Sequence, residues 1–337
     1  RQLQMCIRDR LSTVSAGNCV RAVFSHKEYH VAAIYTLDDA QRDHVLKRAS
    51  CTFGVFDGFH VGHQYLVQQA IETNDEPDAR SVALTFDIDP DEVFHPTRLR
   101  KLLRNADRID MLAESGIDAV VVIPFTPEFY SSSPEQFLKN TFSDNVPAHL
   151  HIGEDFRFGA KAAGTVADLK AWGAANGCRI HAHHLVSADG KPITATRIRT
   201  LLGECKIREA NRLLGRPYFL RETVHAGRGE GADMGFRTAN FIVAEHDMTL
   251  GEGVYAAYAT VNGTKCKAAV SVGVSPTFEE RTVANVEVHI LDFEGDLVGK
   301  AIKVEFIEFL RPMIKFDNVD DLIAAVKDNI SWVRRNL

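Results

Sequence analysis

The apolar pattern of this 337-residue chain changes character at Gly215-Arg216-Pro217. Upstream, short apolar runs alternate with helical periodicity; downstream, strand runs follow one another across glycine turns. One core cannot serve both patterns, because strands alternating with helices build a mostly parallel sheet, whereas consecutive strands pair antiparallel. The length agrees, since it exceeds what a single average core organises.

In the upstream part, strands are expected over residues 51–56, 81–86, 119–124, 149–152 and 179–183, with helices over 62–71, 105–114, 134–142 and 166–174. The third helix has a clear start: Ser133 as N-cap, Pro134 at the first helical position and Gln136 three residues after the cap. Residues 196–214 read as two short helices broken near Gly203. Downstream, strands over 221–226, 253–261, 266–274, 286–293 and 302–309 fit an antiparallel barrel. A last helix over 318–335 carries Asp320 and Asp321 in its first turn, Arg334 and Arg335 in its last, and the stripe Leu322, Val326, Ile330, Val333. The expected division is an N-terminal extension over 1–45, a first domain over 46–200, a helical linker over 201–216 and a second domain over 217–337. Residues 1–10 contain Met5-Cys6-Ile7-Arg8-Asp9, which resembles a translated sequencing adapter, and are set aside.

With 45% hydrophobic and 25% charged residues the chain has the mix of an ordinary globular protein. A net charge of -6 argues against a nucleic-acid partner, which needs a basic face to displace counterions. No apolar run approaches the roughly 20 residues of a membrane span, and residues 1–10 lack the apolar core of a signal peptide. Six cysteines without a C-x-x-C pair suggest neither a zinc knuckle nor a disulfide framework, so a reducing, cytoplasmic location is expected. A homo-oligomer is left open.

Residues 51–63, Cys-Thr-Phe-Gly-Val-Phe-Asp-Gly-Phe-His-Val-Gly-His, run from a strand through a glycine-rich turn into a helix. Gly58 and Gly62 permit close backbone approach, and the free N–H groups at the helix start face an anion such as a polyphosphate. His60 and His63, three residues apart, can both address the same phosphates. An isolated H-x-x-H could equally be solvated or hold a metal, although the H-E-x-x-H of zinc proteases is absent. Asp57 can likewise be an Asx-turn residue beside Gly58. Other features carry less. Asp87, Asp89 and Asp91 lack the glycine and final glutamate of a calcium loop. His181 and His183 fit the exposed face of one strand, with His184 beside them, better than a metal site, and Arg98, Arg100, Lys101 and Arg104 read as a solvated helix face.

The pattern G-x-F-D-G-x-H-x-G-H after a strand resembles the ATP-binding signature of the nucleotidyltransferase superfamily, and more narrowly that of the bacterial bifunctional riboflavin kinase/FAD synthetase family. Two further blocks resemble that family: Gly153-Glu154-Asp155-Phe156-Arg157-Phe158-Gly159 with Gly164, and Ile193-Thr194-Ala195-Thr196-Arg197-Ile198-Arg199. The resemblance implies a Rossmann-like α/β nucleotidyltransferase domain of the HxGH type that adenylylates FMN to FAD. Within it, ATP would meet Gly54, Phe56, Asp57, Gly58, Gly62, Thr196 and Arg199, the FMN flavin would meet Asp155 and Phe158, and His60 and His63 would stabilise the α-phosphate. Two positions depart from the family pattern, Ala195 for a serine and Asp89 for a histidine.

Downstream, Gly227-Arg228-Gly229-Glu230-Gly231 and Met234-Gly235-Phe236-Arg237-Thr238-Ala239-Asn240 resemble the riboflavin kinase glycine loop and its G-F-P-T-A-N motif. This implies an all-β Greek-key barrel with a C-terminal helix that phosphorylates riboflavin to FMN. Gly231 and Gly235 would cover ATP, Thr238 and Asn240 would hold Mg²⁺, Glu287 would be the catalytic base, and Arg311 would face the flavin. Ala232, Arg237 and Met313 replace an arginine, a proline and a glutamate, and Ser275-Pro276-Thr277-Phe278 resembles R-P-T-F without its arginine. The implied function is two-step flavin cofactor synthesis with ATP as co-substrate. An FAD synthetase with an impaired kinase half, or a non-catalytic flavin or nucleotide sensor, stands as the alternative.

Overall fold

The computed structural model describes residues 31–74, 79–96, 100–226, 236–244, 246–274 and 284–337. Six strands form the first sheet: β1 (Ala33–Thr36), β2 (Ser50–Phe53), β3 (Ser81–Phe86), β4 (Ala119–Ile123), β5 (His149–Gly153) and β6 (Arg179–His183). Their spatial order is β1-β4-β3-β2-β5-β6, and every neighbouring pair is parallel. β2 and β3 are buried along their whole length, which is why neither shows the alternation of a half-exposed strand. Helices α1 (Leu37–Arg42), α2 (Val61–Glu72), α3 (Pro90–Phe94), α4 (Asn105–Ala113), α5 (Pro127–Tyr130), α6 (Pro134–Phe142) and α7 (Val166–Asn176) link the strands. At α6 the Ser133 side chain accepts from Gln136 N at 3.2 Å, the cap expected from its sequence.

From β2 the chain builds outward through β3 and β4 on one side, then returns to β5 and β6 on the other. Ligands of open α/β sheets sit in the crevice at the strand ends where such an order reverses. Residues 54–63 follow β2 at that point. The start of this domain differs from expectation: β1 pairs with β4 in the register Ala33↔Ala119, and Leu37 and Ala40 of α1 are buried. Residues 33–42, assigned to an extension, are therefore built into the first domain.

A short ribbon of β7 (Ser187–Ala188) and β8 (Lys191–Pro192) leads to α8 (Ala195–Gly203) and α9 (Ile207–Leu214). Two helices were expected here as a linker, but they do not behave as one. Ile198, Leu202, Leu213 and Leu214 are fully buried in the same apolar cluster as barrel residues such as Tyr255 and Phe306, so these two helices belong to the barrel's core, while the parallel sheet packs in separate clusters.

The second sheet contains β9 (Tyr218–Thr223), β10 (Ala239–Ile242), β11 (Gly253–Val261), β12 (Thr264–Val274), β13 (Ala284–Ile290) and β14 (Ala301–Arg311). It is antiparallel throughout, in the order β10-β13-β12-β11-β14-β9. His225 N donates to Asn240 O at 2.8 Å, joining the edge beyond β9 to β10 and nearly closing a barrel. Asn262 and Gly263, at φ 49° and 79°, form the two-residue turn between β11 and β12, where the twist of the strands favours positive φ at both positions. β11 is buried on both faces near its start: Tyr255 and Ala257 face the barrel interior, while Ala256 meets Ile330 and Val333 of the terminal helix α10 (Val319–Asn336).

Phe306 sits at the barrel centre, its ring centroid 5.7 Å from that of Tyr255 and 6.3 Å from that of Tyr218. Phe306→Ala is expected to destabilise the protein by about 3–5 kcal/mol. Thermal denaturation checks this, and a loss below about 1 kcal/mol would mean that the site is not close-packed.

Candidate active sites

Phe56 adopts a left-handed backbone (φ 59°) that turns the chain out of β2, and its ring is 1% exposed in the core. Gly54 lies against that ring, since a Cβ there would meet Phe56 at 3.3 Å. Asp57 follows, 7% exposed, and its carboxylate accepts from Leu102 N at 3.0 Å, Leu103 N at 3.2 Å and Arg199 Nη2 at 2.6 Å. It is thus an anchor between distant segments and not an Asx turn. Burial raises its pKa to about 6, against the pull of Arg199. Gly58 has φ 73°, and a Cβ there would meet Leu102 Cδ1 at 2.7 Å, so both conformation and space demand glycine.

His60 caps the entry to α2, and Gly62 lets its ring fold back, because a Cβ at 62 would press on that ring at 3.2 Å. The His60 and His63 rings stack 3.6 Å apart at 17°. Neither Nδ1 has a hydrogen-bond partner within the protein. Burial lowers the His60 pKa to about 4, and burial with neighbouring His60 and Arg108 lowers that of His63. Both rings are therefore neutral near pH 7, each with one N–H to donate. Arg108 was missed as a site residue. At 1% exposed it donates to Val55 O at 3.0 Å and to Phe86 O at 2.8 Å, bracing the turn before Asp57 from β3.

Arg199 of α8 reaches the turn, its Nε donating to Arg100 O at 2.6 Å while Nη2 holds Asp57. Thr196 lies one turn earlier on the same helix face and is exposed. Thr194 caps α8 by accepting from Arg197 N. Asp155 is exposed in the turn after β5. Phe158 is buried in the core beside Phe137, pressed onto Gly164, so its ring offers no free face. Sequence reasoning overlooked an aromatic group at the ends of β3 and β4. Phe94, 52% exposed, meets Phe125 and Tyr130 at ring distances of 5.8 and 5.3 Å. The signal lay in Val93-Phe94 and in Phe125-Thr126-Pro127-Glu128-Phe129-Tyr130, each clustering rings just past a strand.

His181 and His183 are half-buried, not on an open face, because His149 and His151 of β5 lie against them. His149 Nδ1 meets His181 Nε2 at 3.0 Å and His151 Nδ1 meets His183 Nε2 at 2.9 Å, while His184 pairs with Glu154. Among the described residues no group of three or more His, Cys, Asp or Glu could hold a metal ion, and no helix is long and apolar enough to cross a membrane.

On the barrel, Asn240 of β10 stands directly opposite Glu287 of β13, so their side chains share one face at neighbouring positions. Asn240 Nδ2 donates to Thr238 O at 3.4 Å, and Asn285 Nδ2 donates to the half-buried Glu287 carboxylate at 3.0 Å. Ser271 flanks Glu287 on β12 and touches Met313, which brings the 311–316 segment to the same end. There the Arg311 guanidinium lies 5.7 Å from the Phe316 ring centre. Gly231, Gly235, Ala232 and Ser275–Phe278 lie outside the described residues.

A parallel sheet with paired histidines at its switch point, fused to a nearly closed antiparallel barrel with a terminal helix, defines a two-domain nucleotide-dependent transferase. The FAD synthetase family model matches residues 42–197 and the riboflavin kinase family model matches 214–337. A bifunctional riboflavin kinase/FMN adenylyltransferase from Listeria monocytogenes is 33% identical over 276 residues, covering 81% of this chain and 88% of that one. Another of that description from Bacillus subtilis is 32% identical over 292 residues, covering 83% and 90%. A solved structure of a macrolide-efflux protein from Streptococcus pneumoniae superposes with a TM-score of 0.76 at 28% identity, covering 86% of this chain and 94% of that chain. The chain belongs to the bifunctional riboflavin kinase/FMN adenylyltransferase family.

The raised Asp57 pKa gives a stability contribution that is full below about 4, the ordinary carboxyl value, and is lost as pH rises through about 6. Carbon NMR of the Asp57 carboxyl should therefore show a midpoint near 6. In Arg199→Met protein the midpoint should move higher, because the cation that favours the carboxylate is gone. A wild-type midpoint near the ordinary value of about 4 would contradict the burial described.

Proposed function

We infer that the chain makes FMN and FAD in two ATP-dependent steps, the barrel phosphorylating riboflavin and the α/β domain adenylylating FMN. The observation that carries this reading is the coincidence of similarity to bifunctional relatives across both halves with two separate constellations, His60 with His63 and Asn240 with Glu287. Because the similarity extends over both halves, it favours two working activities over an impaired kinase or a sensor.

In the adenylyl step a phosphate oxygen of FMN attacks the α-phosphorus of ATP, the α–β bridging bond breaks, and pyrophosphate leaves. Negative charge builds on the α-phosphate oxygens. The neutral His60 and His63 rings donate N–H to them, and the N-terminus of α2 adds its partial positive charge. Arg199, with Thr196 one turn away, receives the departing pyrophosphate through N–H and O–H donors. The exposed Phe94 with the half-buried Phe125 and Tyr130, and Asp155, offer a seat for the isoalloxazine ring, and Phe158 supports it from the core.

In the kinase step the terminal ribityl hydroxyl attacks the γ-phosphorus and ADP leaves. Glu287 accepts the hydroxyl proton as the bond forms. Thr238 and Asn240 present neutral oxygen donors, a set that suits Mg²⁺, which takes one or two protein oxygens beside waters and phosphate oxygens. The ion would neutralise phosphate charge when bound. Arg311, backed by Phe316, faces the flavin.

Chromatography of flavins from protein given ATP, Mg²⁺ and either riboflavin or FMN tests the reading. Wild-type protein should yield FMN and FAD from riboflavin, and FAD from FMN. His60→Asn should slow FAD formation about 10²–10³-fold and spare FMN formation. Glu287→Gln should slow FMN formation about 10²–10⁴-fold and spare FAD formation from FMN. Loss of both activities in either variant, with the fold intact, would contradict two separate sites.

A further inference from the structure

Residues 100–104 touch both halves of the molecule. Toward the barrel, Lys101 N donates to His246 O at 2.7 Å and Met248 N donates to Lys101 O at 2.8 Å. Arg104 then inserts between two nearly buried carboxylates, its Nε donating to Asp247 Oδ2 at 2.9 Å and its Nη2 to Glu222. Toward the first site, Leu102 N and Leu103 N donate to Asp57, and Arg100 O accepts from Arg199 Nε. The Leu102 side chain also fills the space beneath Gly58. The barrel thus grips five residues that in turn grip the phosphate turn. This segment is not the solvated helix face that its run of charges suggests.

We propose that Arg104, held by Asp247 and Glu222 of the barrel, is a positioning residue for FMN adenylylation, setting the segment whose backbone fixes Asp57 and Arg199. The inference rests on the reading of the first site as the adenylyl-transfer centre. A guanidinium fork between two carboxylates fixes direction as well as distance, which a lysine or a neutral side chain does not reproduce. Without it, two carboxylates shielded from water face each other unpaired, and the loop that carries Asp247 moves away from Lys101. Arg199 is a phosphate donor tied to that segment, and a displacement of about 1 Å in such a donor is enough to weaken substrate positioning severely.

A second ion pair crosses the same interface. Arg221 of β9 donates to Asp107 at 2.8 Å, but Asp107 belongs to α4 and not to the 100–104 segment. It separates a positioning role from general interface stability.

The test is steady-state kinetics of both reactions on the full chain, for wild type, Arg104→Met, Asp247→Asn and Arg221→Met. In Arg104→Met and Asp247→Asn, the KM for ATP in FMN adenylylation should rise about tenfold or more, with the KM for ATP in riboflavin phosphorylation changed by less than about twofold. Arg221→Met should leave both KM values in place. A merely structural contact would lower the active fraction, and so the apparent kcat of both reactions together, without moving KM. Unchanged KM in Arg104→Met and Asp247→Asn, or an equal rise in Arg221→Met, overturns the proposal. Should Arg104→Met fail to fold, Asp247→Asn keeps the side-chain shape and decides alone. Wild-type protein that makes no FAD from FMN overturns the reading of the first site and this inference with it, whereas wild-type synthesis with unaltered variants overturns the inference only.

Discussion

The Asp57 carboxylate holds the first site together. At 7% exposure it has lost most of its water, and a buried carboxylate persists only where donors replace that water. Its three donors come from two distant places in the chain, Leu102 N and Leu103 N from the segment before α4 and Arg199 from α8. Satisfying this one group therefore aligns the turn after β2, the start of α2 and the first turns of α8. Gly58 and Leu102 complete the arrangement sterically, because any Cβ at 58 would collide with the leucine that the carboxylate has drawn in.

The two sites draw on different chemistry, and the structure accommodates the difference. Rings stacked 3.6 Å apart at His60 and His63 are tolerable because burial keeps both neutral; two imidazolium ions at that distance in a low-dielectric setting would repel strongly. Glu287 instead lies half-buried on a strand, where its carboxylate accepts from Asn285 Nδ2. The shared core of α8, α9 and the barrel keeps these dissimilar pockets in one folded body.

Much of the fold was legible because long periodic elements announce themselves. The strand over 81–86, the helix over 134–142 and the strand over 253–261 match β3, α6 and β11 residue for residue. β1 was not legible, since four residues of an edge strand carry too little pattern and its partner β4 lies some eighty residues on. The separation of α8 and α9 as a linker failed for a related reason: their buried faces are visible in sequence, but what those faces pack against is not. In the sites, the pairing of Asp57 with Arg199 spans 142 positions and leaves no local trace. The ring of Phe158 belongs to a segment similar to a flavin-site motif, yet a backbone bridge to Gly164 turns it into the core. The charges at Arg100, Lys101 and Arg104 resemble a surface run until a second domain is docked against them.

The proposed function requires two nucleotide pockets in this polypeptide, one opened by paired neutral imidazoles and one by an oxygen donor set on a barrel strand. A crystal structure of the full chain with a non-hydrolysable ATP analogue, FMN and Mg²⁺ tests it directly. Two nucleotides per chain are expected, one with its α-phosphate within hydrogen-bond reach of His60 and His63, the other with its phosphates at Thr238 and Asn240. A single nucleotide, or histidines still stacked on each other with the analogue bound elsewhere, would contradict it.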